Sequence, residues 1–332
     1  MGVWTITGRR FTNEVRLQQA SRRAVLATED PSGPGVLIPG VAAFGRPYAL
    51  TNRNQQRYVQ AGDTFAVAAN GHFVKLGGDA LNVGVTAMHP NANGLLVFSS
   101  LDHLFAGQPD SSRQATTGPI TRLETVKAGL FVQDHWSATP TLTVDAGVRI
   151  DGQTVGPALD VSNWLVTPRG GMAWAPTAKW VVRGGVGLFA DRLPLVMFER
   201  AAALDGIVGF EQVTPPSGSA RSISTARPGN WRSSSAQASL GIERGLTDET
   251  TAGLAYLFSR GRHLARTVTA LNSVSADVSE VQPTASSTYH RVPATKTRPL
   301  AHEFEVAASA TWPNPSHPAP QSAQPRQPTT PP

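Results

Sequence analysis

Cysteine is absent from the 332 residues of this chain, which excludes disulfide scaffolds, thiolate metal sites and cysteine nucleophiles. Charged residues are scarce, at 16% of the chain, where about a quarter is typical of soluble domains. No apolar run approaches the roughly 18 residues that a membrane-spanning helix needs. The sequence therefore excludes a bundle of transmembrane helices.

Positive charge is concentrated near the N-terminus. The chain carries 29 Lys and Arg against 23 Asp and Glu, and residues 1–60 hold eight arginines with only three carboxylates. A basic segment can contact nucleic acid, but no helix-turn-helix, zinc-finger or base-stacking aromatic pattern accompanies it. We therefore predict no nucleic-acid partner.

The two ends of the chain differ in character. The first residues show no cationic segment followed by an apolar stretch, so no signal peptide is predicted. Residues 313–332 contain eight prolines mixed with Gln, Ser and Thr, a composition that cannot pair into a sheet. We predict a disordered tail over 313–332 and assign residues 1–312 to a single folded unit.

Alternation with period two is the main structural signal, and it is clearest over residues 141–151. The stretch is longer than an ordinary globular strand and matches the roughly 9–11 residues with which a tilted strand crosses a bilayer. Its apolar side chains are predicted to face lipid: Leu142, Val144, Ala146, Val148 and Ile150. Its charged side chains are predicted to face a wet lumen: Asp145, Arg149 and Asp151. Residues 180–190 repeat the pattern, with Val182, Val186 and Leu188 on the lipid side.

Further strands follow the same alternation. The stronger candidates are 126–136, 166–175, 238–245 and 250–260, and the weaker ones are 12–21, 63–69, 72–81, 94–100 and 302–312. We expect about 11–12 antiparallel strands in all. One helical turn is predicted at Leu101–Phe105.

The connections alternate in length, which favours an outer-membrane β-barrel with short turns at one end and long loops at the other. Short turns are predicted at residues 70–71, 137–140, 176–179 and 246–249. Long segments are predicted at 22–62, 82–125, 152–165, 191–237 and 261–301. Trp136, Trp174 and Trp180 lie within a few residues of short turns, as an interfacial aromatic girdle requires. A soluble all-β binding domain stays open as an alternative, because alternation alone does not separate lipid from a protein core.

No catalytic, cofactor or metal site is predicted. The eight histidines show no metal-site spacing, and Asp102-His103 lacks the GxSxG elbow of a hydrolase. The GGVG run at 184–187 lies inside a predicted strand, without the helix of a dinucleotide fingerprint. We expect that the protein is not an enzyme.

Several stretches resemble the β-barrel of TonB-dependent outer-membrane receptors of the Oar-like group. They are FSSLDHLFAGQPD (98–110), AGLFVQDHW (128–136), TPTLTVDAGVRID (139–151), TPRGGMAWAP (167–176), VVRGGVGLFADRLP (181–194), SLGIER (239–244) and YLFSRGRHL (256–264). The resemblance spans roughly residues 10–265 and depends on the number and order of these stretches.

The resemblance implies energised uptake of an unidentified ligand across the outer membrane of a Gram-negative bacterium. Outer-membrane lipid is the implied surrounding, and TonB is implied as a partner only through a plug that this chain lacks. The family barrel has about 22 strands, so we expect an internal fragment that is inactive alone. A non-transporting surface or structural barrel protein is the alternative from another class.

Overall fold

The computed structural model describes residues 1–25, 33–45, 53–88, 94–116, 120–156, 159–214, 220–247, 249–272, 276–297, 299–300 and 304–305. The predicted tail at 313–332 lies outside the described residues. The helices are α1 (Leu101–Phe105) and α2 (Leu195–Ala203).

Nearly all other elements are strands, and the long ones are separated by short strands within the loops. The first half of the chain contains β1 (Gly2–Thr7), β2 (Phe11–Val25), β3 (Gly35–Ile38), β4 (Ala42–Gly45), β5 (Arg53–Ala69), β6 (His72–Met88), β7 (Leu95–Val97), β8 (Ser111–Ala115), β9 (Ile120–Thr139), β10 (Leu142–Val155) and β11 (Val161–Thr177). The second half contains β12 (Trp180–Ala190), β13 (Glu211–Thr214), β14 (Ala220–Ala226), β15 (Gly229–Asn230), β16 (Ser234–Gly245), β17 (Thr251–Asn272), β18 (Ala276–Arg291), β19 (Ala294–Thr297), β20 (Pro299–Leu300) and β21 (Phe304–Glu305).

The long strands form one antiparallel wall. Their order is β1-β2-β5-β6-β9-β10-β11-β12-β16-β17-β18, and β19 continues the last position along β17. Within the described residues β1 and β18 do not pair with each other, so the wall is an open part of a barrel. The predicted fold class, a partial antiparallel barrel wall, is confirmed.

Tight turns connect the strands at one end of the wall. Residues 70–71 join β5 to β6, with Asn70 and Gly71 at φ of 51° and 81°. Positive φ at both positions is typical of the two-residue hairpin turn whose twist matches that of the flanking strands. The turns at 8–10, 140–141 and 178–179 and the connection from β16 to β17 lie at the same end, because they follow the first, fifth, seventh and ninth strands of the wall order.

Two segments predicted as loops are mostly strand. β10 runs to Val155 and β11 begins at Val161, so little of 152–165 is loop. β17 continues to Asn272 and β18 occupies 276–291, so the predicted loop at 261–301 is largely a long hairpin. These extensions alternate poorly in hydrophobicity because they project beyond the apolar part of the wall, where neither face needs to be apolar.

The remaining elements form a layer over the loop end of the wall. Its backbone pairings run β4-β3-β7-β8-β13-β14, and β14 pairs in parallel with the first residues of β18. The predicted turn at α1 is present, with the Ser100 hydroxyl accepting from the backbone nitrogen of His103. The helix α2 was not predicted.

The main hydrophobic core lies between this layer and the wall. Phe198 of α2 is fully buried, and its ring centroid lies 5.4 Å from that of Trp231. Both pack against the loop ends of the wall strands, with the other buried members of the cluster being Leu123, Val155, Val161, Leu193 and Val281. Within the described part of the chain, the apolar core thus joins the loop layer to the wall at the loop end.

Candidate functional site

The wall has two chemically different faces. Directly paired residues share a face, and rows of such pairs run across the strands. One row contains Leu76, Val132 and Val148, and the next contains Leu130 and Ile150. Further along the sheet the same face carries Trp174, Val182, Ile242, Leu254, Val186, Leu240 and Tyr256. Many of these side chains are exposed, including Leu130 at 67% and Val186 at 66%.

The opposite face is polar and concave. A cavity of about 720 Å³ lies against it, lined by residues from β2, β6, β9, β10 and β11 and from the segment after β12. Strands that lie so far apart in the sheet can line one cavity only if this face curves inward. We call it the concave face and the apolar one the convex face.

An ion cluster lies at the centre of the concave face. The Arg149 guanidinium donates from Nη2 to Asp79 Oδ1 at 2.7 Å and from Nε to Asp151 Oδ1 at 2.5 Å. Thr167 Oγ1 donates to the Arg149 carbonyl at 3.0 Å. Arg149 also lies 5.8 Å from the Phe131 ring centroid. The cluster spans β6, β10 and β11, so it ties together strands that are not immediate neighbours.

A second cavity of about 550 Å³ lies against the concave face over β9–β12 and β16–β18. Glycines form much of its floor, with Gly171 paired to Gly185 and Gly187 next along β12. A Cβ at Gly171 would lie 3.2 Å from the Gly184 carbonyl oxygen. Glutamine and serine side chains, aromatic rings such as Tyr289, and the charged side chains of Asp145 and Arg169 surround this floor, so the surface offers hydrogen bonds, aromatic contacts and charges of both signs.

The structure divides the predicted residues between the two faces as follows. Asp145, Arg149 and Asp151 lie on the concave face, where Asp145 Oδ1 is 2.8 Å from His135 Nδ1. The remaining predicted residues lie on the convex face, and they are Leu142, Val144, Ala146, Val148, Ile150, Val182, Val186, Leu188, Trp136, Trp174 and Trp180. Lipid contact by the convex face stays a prediction.

The three tryptophans lie near the short turns. Trp136 stacks on His72 with ring centroids 5.4 Å apart, and Arg244 lies 4.9 Å from the Trp180 ring centroid. His72 Nδ1 is also 2.6 Å from Asp134 Oδ2. Polar partners beside aromatic rings are typical of side chains at a membrane interface.

Two polar residues on the concave face were missed at the sequence level, and both hold the long segment between β12 and β16. Gln153 Nε2 donates to the Leu193 carbonyl at 3.1 Å, and Gln153 Oε1 accepts from the Leu193 nitrogen at 2.9 Å. Asn163 Nδ2 donates to the carbonyls of Asp191 and Ser233 at 2.8 and 3.1 Å. Their odd-numbered positions on β10 and β11 put them on the same face as Arg149, whereas their partners depend on tertiary contacts.

A buried carboxylate joins three parts of the loop layer. The Glu211 side chain is fully buried, and its Oε2 accepts from Arg200 Nη2 at 2.8 Å, with Arg113 Nη1 at 3.8 Å. Burial raises the pKa of Glu211 to about 7. This contact connects β13, α2 and β8, which belong to two different loops.

The Asp102-His103 pair noted in the sequence does not form half of a hydrolase triad. His103 Nδ1 is 3.0 Å from Asp110 Oδ1 and 3.3 Å from Ser99 Oγ. A serine triad needs its carboxylate and its hydroxyl on different ring nitrogens. Here both contact the same nitrogen, so the arrangement stabilises a loop and does not activate the hydroxyl.

Two classes of site are not found in the part of the chain that the structure describes. No three His, Cys, Asp or Glu side chains there cluster in a way that could hold a metal ion. No helix among the same residues is long and apolar enough to cross a membrane.

The two-faced wall matches a known family. The sequence profile of the outer membrane beta barrel domain matches residues 10–163 and 156–317. The chain belongs to this outer-membrane barrel family. No curated protein matches the barrel chain in sequence.

Solved structures share the barrel fold at low sequence identity. A variant of the ferric enterobactin receptor PfeA from Pseudomonas aeruginosa is 15% identical, with a TM-score of 0.61, over 94% of this chain and 42% of the receptor. The outer membrane transporter YddB from Escherichia coli is 13% identical, with a TM-score of 0.62, over 89% of this chain and 38% of the transporter. The FrpB iron transporter from Neisseria meningitidis is 13% identical, with a TM-score of 0.56, over 92% of this chain and 41% of the transporter.

The barrel chain therefore spans about two fifths of the length of these proteins. The resemblance to receptor barrels noted in the sequence is confirmed at the level of the fold.

Proposed function

We propose that this chain forms part of the wall of an outer-membrane receptor barrel that takes up a ligand. The observation that carries the proposal is the separation of the two faces. An apolar convex face suits hydrocarbon, and a concave face with paired charges and two cavities suits a water-filled path. The charged and hydrogen-bonding groups of the concave face then line the route that a polar ligand follows.

The height of the apolar face supports a bilayer location. On β9 it extends from Trp136 to Val126, ten residues, or about 33 Å along a strand, with Asp134 as its one charged residue. A strand tilt of about 40° reduces this to about 25 Å along the barrel axis, which is the height of the apolar band in outer-membrane barrels.

Single-cysteine labelling tests the assignment of the faces, since the chain has no cysteine of its own. An environment-sensitive fluorophore is attached to Leu130→Cys on the convex face or to Gln133→Cys on the concave face. In vesicles reconstituted with the whole protein that carries this chain, brominated acyl chains should quench the Leu130 label and aqueous iodide the Gln133 label. If lipid quenches neither label, the protein is a soluble β domain.

We further propose that the chain alone does not form a transporting pore. Among the described residues β1 has a partner on one side only, and β14 pairs with only the Ala276–Val281 part of the outer edge of β18. In hydrocarbon each unpaired backbone group costs several kcal/mol. The chain fused to an export signal should therefore give no heat-modifiable band on a gel and no uptake. A protease-resistant, heat-modifiable band from the chain alone would contradict this.

The proposal extends to the whole protein that carries this chain. That protein would bind a ligand and couple to TonB through a plug. The related structures include an iron transporter and a ferric enterobactin receptor, and those names describe those proteins. Here the mixed charge of the larger cavity, with Glu14, Arg16, Lys127 and Arg169 at its lining, favours a polar ligand with groups of both signs. Substituting Arg169→Gln in the protein that carries this chain should lower uptake if the path runs along the concave face.

A further inference from the structure

A row of polar side chains on the concave face is covered by the chain that follows β12. Lys127, Gln153 and Asn163 form this cross-strand row over β9, β10 and β11. Hydrogen bonds from Asn163 to the Asp191 carbonyl, and between the Gln153 amide and the Leu193 backbone, hold residues 191–193 over the row. Four residues of this region line the larger cavity, and we call them the loop-end site: Lys127, Asn163, Asp191 and Arg192.

Two acceptor oxygens of the loop-end site lack a donor within the described part of the chain. Asn163 is 1% exposed, and its Nδ2 donates to the carbonyls of Asp191 and Ser233, which fixes the orientation of the amide. Its Oδ1 and the Asp191 Oδ2 are buried and accept no hydrogen bond from the residues described. Burial raises the pKa of Asp191, an effect that a positively charged donor would offset. Buried acceptors nearly always have a donor, so these two oxygens point to a bound molecule that supplies one.

The two cations of the same site lack a partner of opposite charge. Lys127 is half-buried, and Arg192 is close enough for the two positive charges to repel each other. Neither forms an ion pair with any residue that the structure describes, although Arg16 and Arg149 of the same cavity are both paired with carboxylates. Two neighbouring cations without a counter-charge suit a carboxylate, which can accept hydrogen bonds from both.

We propose that the loop-end site binds an α-amino acid group, either free or at one end of a larger ligand. The ammonium of the ligand donates to Asp191 Oδ2 and Asn163 Oδ1, and its carboxylate accepts from Lys127 and Arg192. A ligand with one kind of charge would leave either the two acceptors or the two cations without a partner.

The dimensions of the site agree with this ligand class. Lys127 and Asn163 are two strands apart, so their Cα atoms are about 10 Å apart, a distance that a lysine side chain and a small zwitterion together bridge. The cavity of about 720 Å³ leaves room for the rest of a larger ligand. The inference rests on the proposed function, because it names the chemistry of a ligand that follows the concave face.

The first test compares ligands on the whole protein that carries this chain, in phosphatidylcholine nanodiscs, by isothermal titration calorimetry. L-phenylalanine carries both charges, N-acetyl-L-phenylalanine lacks the ammonium, and L-phenylalaninamide lacks the carboxylate. Each analogue should bind about tenfold more weakly or worse, because it leaves charged groups of the site without their partner. γ-Glutamylphenylalanine carries the same zwitterionic group at the end of a longer molecule. Tighter binding of this compound than of L-phenylalanine assigns the group to a larger ligand, and weaker binding assigns it to a free amino acid.

The second test assigns each charge of the ligand to its partner in the protein. Arg192→Gln should reduce the preference for L-phenylalanine over its amide and retain the preference over the N-acetyl compound. Asp191→Asn should do the reverse. This crossed pattern requires direct contact, since a purely structural role would weaken all three compounds alike. Matched controls are Arg9→Gln in the turn after β1 and Asp102→Asn on α1, which make the same chemical changes away from the cavity and should leave all affinities unchanged.

The outcomes separate this site from the proposed function. The proposal is overturned if neither zwitterion binds, if the three phenylalanine compounds bind equally, or if both variants lose both preferences. The comparison of ligands uses the wild-type protein, so it holds even if a variant does not fold. The Leu130→Cys label reports the membrane location separately. If lipid quenches that label and no zwitterion binds, the loop-end site is wrong and the proposed function stands. If lipid does not quench the label, the proposed function itself fails.

Discussion

An arginine scan of neighbouring positions on β9 tests the two-faced wall most directly. Val132 lies on the convex face, paired with Leu76 and Val148, and Gln133 is the next residue and lines the concave face. Val132→Arg should destabilise the inserted protein strongly, whereas Gln133→Arg should have little effect. The two substitutions are at adjacent positions of the same strand and add the same charge.

The expected size follows from the depth of Val132. It lies four residues from Trp136, about 10 Å along the axis from the short-turn boundary of a band about 25 Å high, and thus close to the midplane. An arginine on the lipid face at that depth costs about 2–4 kcal/mol. The inserted state should therefore lose about 30- to 700-fold in its equilibrium constant, at about 1.4 kcal/mol per tenfold.

The assay is insertion of the whole protein into lipid vesicles across a urea series, followed by heat-modifiable mobility on a gel. The midpoint should shift to lower urea for Val132→Arg and stay within error for Gln133→Arg. Equal shifts for both variants would mean that the convex face does not contact hydrocarbon. A larger shift for Gln133→Arg would mean that the faces are assigned the wrong way round.

Three more predictions concern the concave face and the loop layer. Arg149→Met leaves Asp79 and Asp151 without their cation and should cost about 1–2 kcal/mol in the same urea assay. Phe198→Ala removes a fully buried ring and should weaken the loop layer by about 3–5 kcal/mol, seen as faster proteolysis of that layer. Glu211→Gln should remove a pH dependence from the same proteolysis, because the folded pKa of Glu211 is about 7, against 4.5 without burial.

The raised pKa of Glu211 determines whether protection from proteolysis rises or falls with pH. Between pH 4.5 and 7 the folded layer holds a proton that the opened layer releases, so protection is greatest at low pH and falls by about 1–3 kcal/mol as pH rises to 7. A wild-type profile that is flat, or unchanged in the variant, would exclude this role.

Matched controls exist for the other two substitutions. Arg183→Met breaks an exposed pair with Glu243 at 3.7 Å and should cost less than about 0.5 kcal/mol. Val196→Ala changes an exposed side chain on α2 and should leave proteolysis nearly unchanged. If Arg183→Met lowers stability as much as Arg149→Met, the Arg149 ion cluster is not the cause. If Val196→Ala speeds proteolysis as much as Phe198→Ala, the buried Phe198 ring is not the cause.

The sequence predicted the part of the wall where the two faces meet different solvents. Over 141–151 an apolar row must alternate with a polar one, and that alternation is visible in the residues themselves. The same signal is absent from residues 261–272, where β17 continues with polar side chains on both faces. Strand there depends on pairing with β18, which local composition does not encode.

Tertiary contacts explain what else the sequence did not reveal. The helix α2 is nine residues long and begins directly after Pro194 in a segment read as loop, and it is stabilised by packing of Phe198 on the wall. The face on which Arg149 lies was predictable, because successive residues of a strand point to opposite faces. Its partner Asp79 was not, because it comes from a strand 70 residues away, and its position depends on the registers of two intervening pairings.

The parallel pairing of β14 with β18 has a mechanical consequence. This pairing attaches the loop layer to the edge strand β18, and the packing of α2 on β9 attaches the layer to the middle of the wall. The loop layer therefore connects the edge of the wall to its middle at the loop end. The edge strand is held at a fixed distance from the middle of the sheet at that end, whether or not the ring is closed. At the turn end no such tie is found among the described residues. If the curvature of the wall changes, the strands should therefore move least at the loop end and most at the turn end.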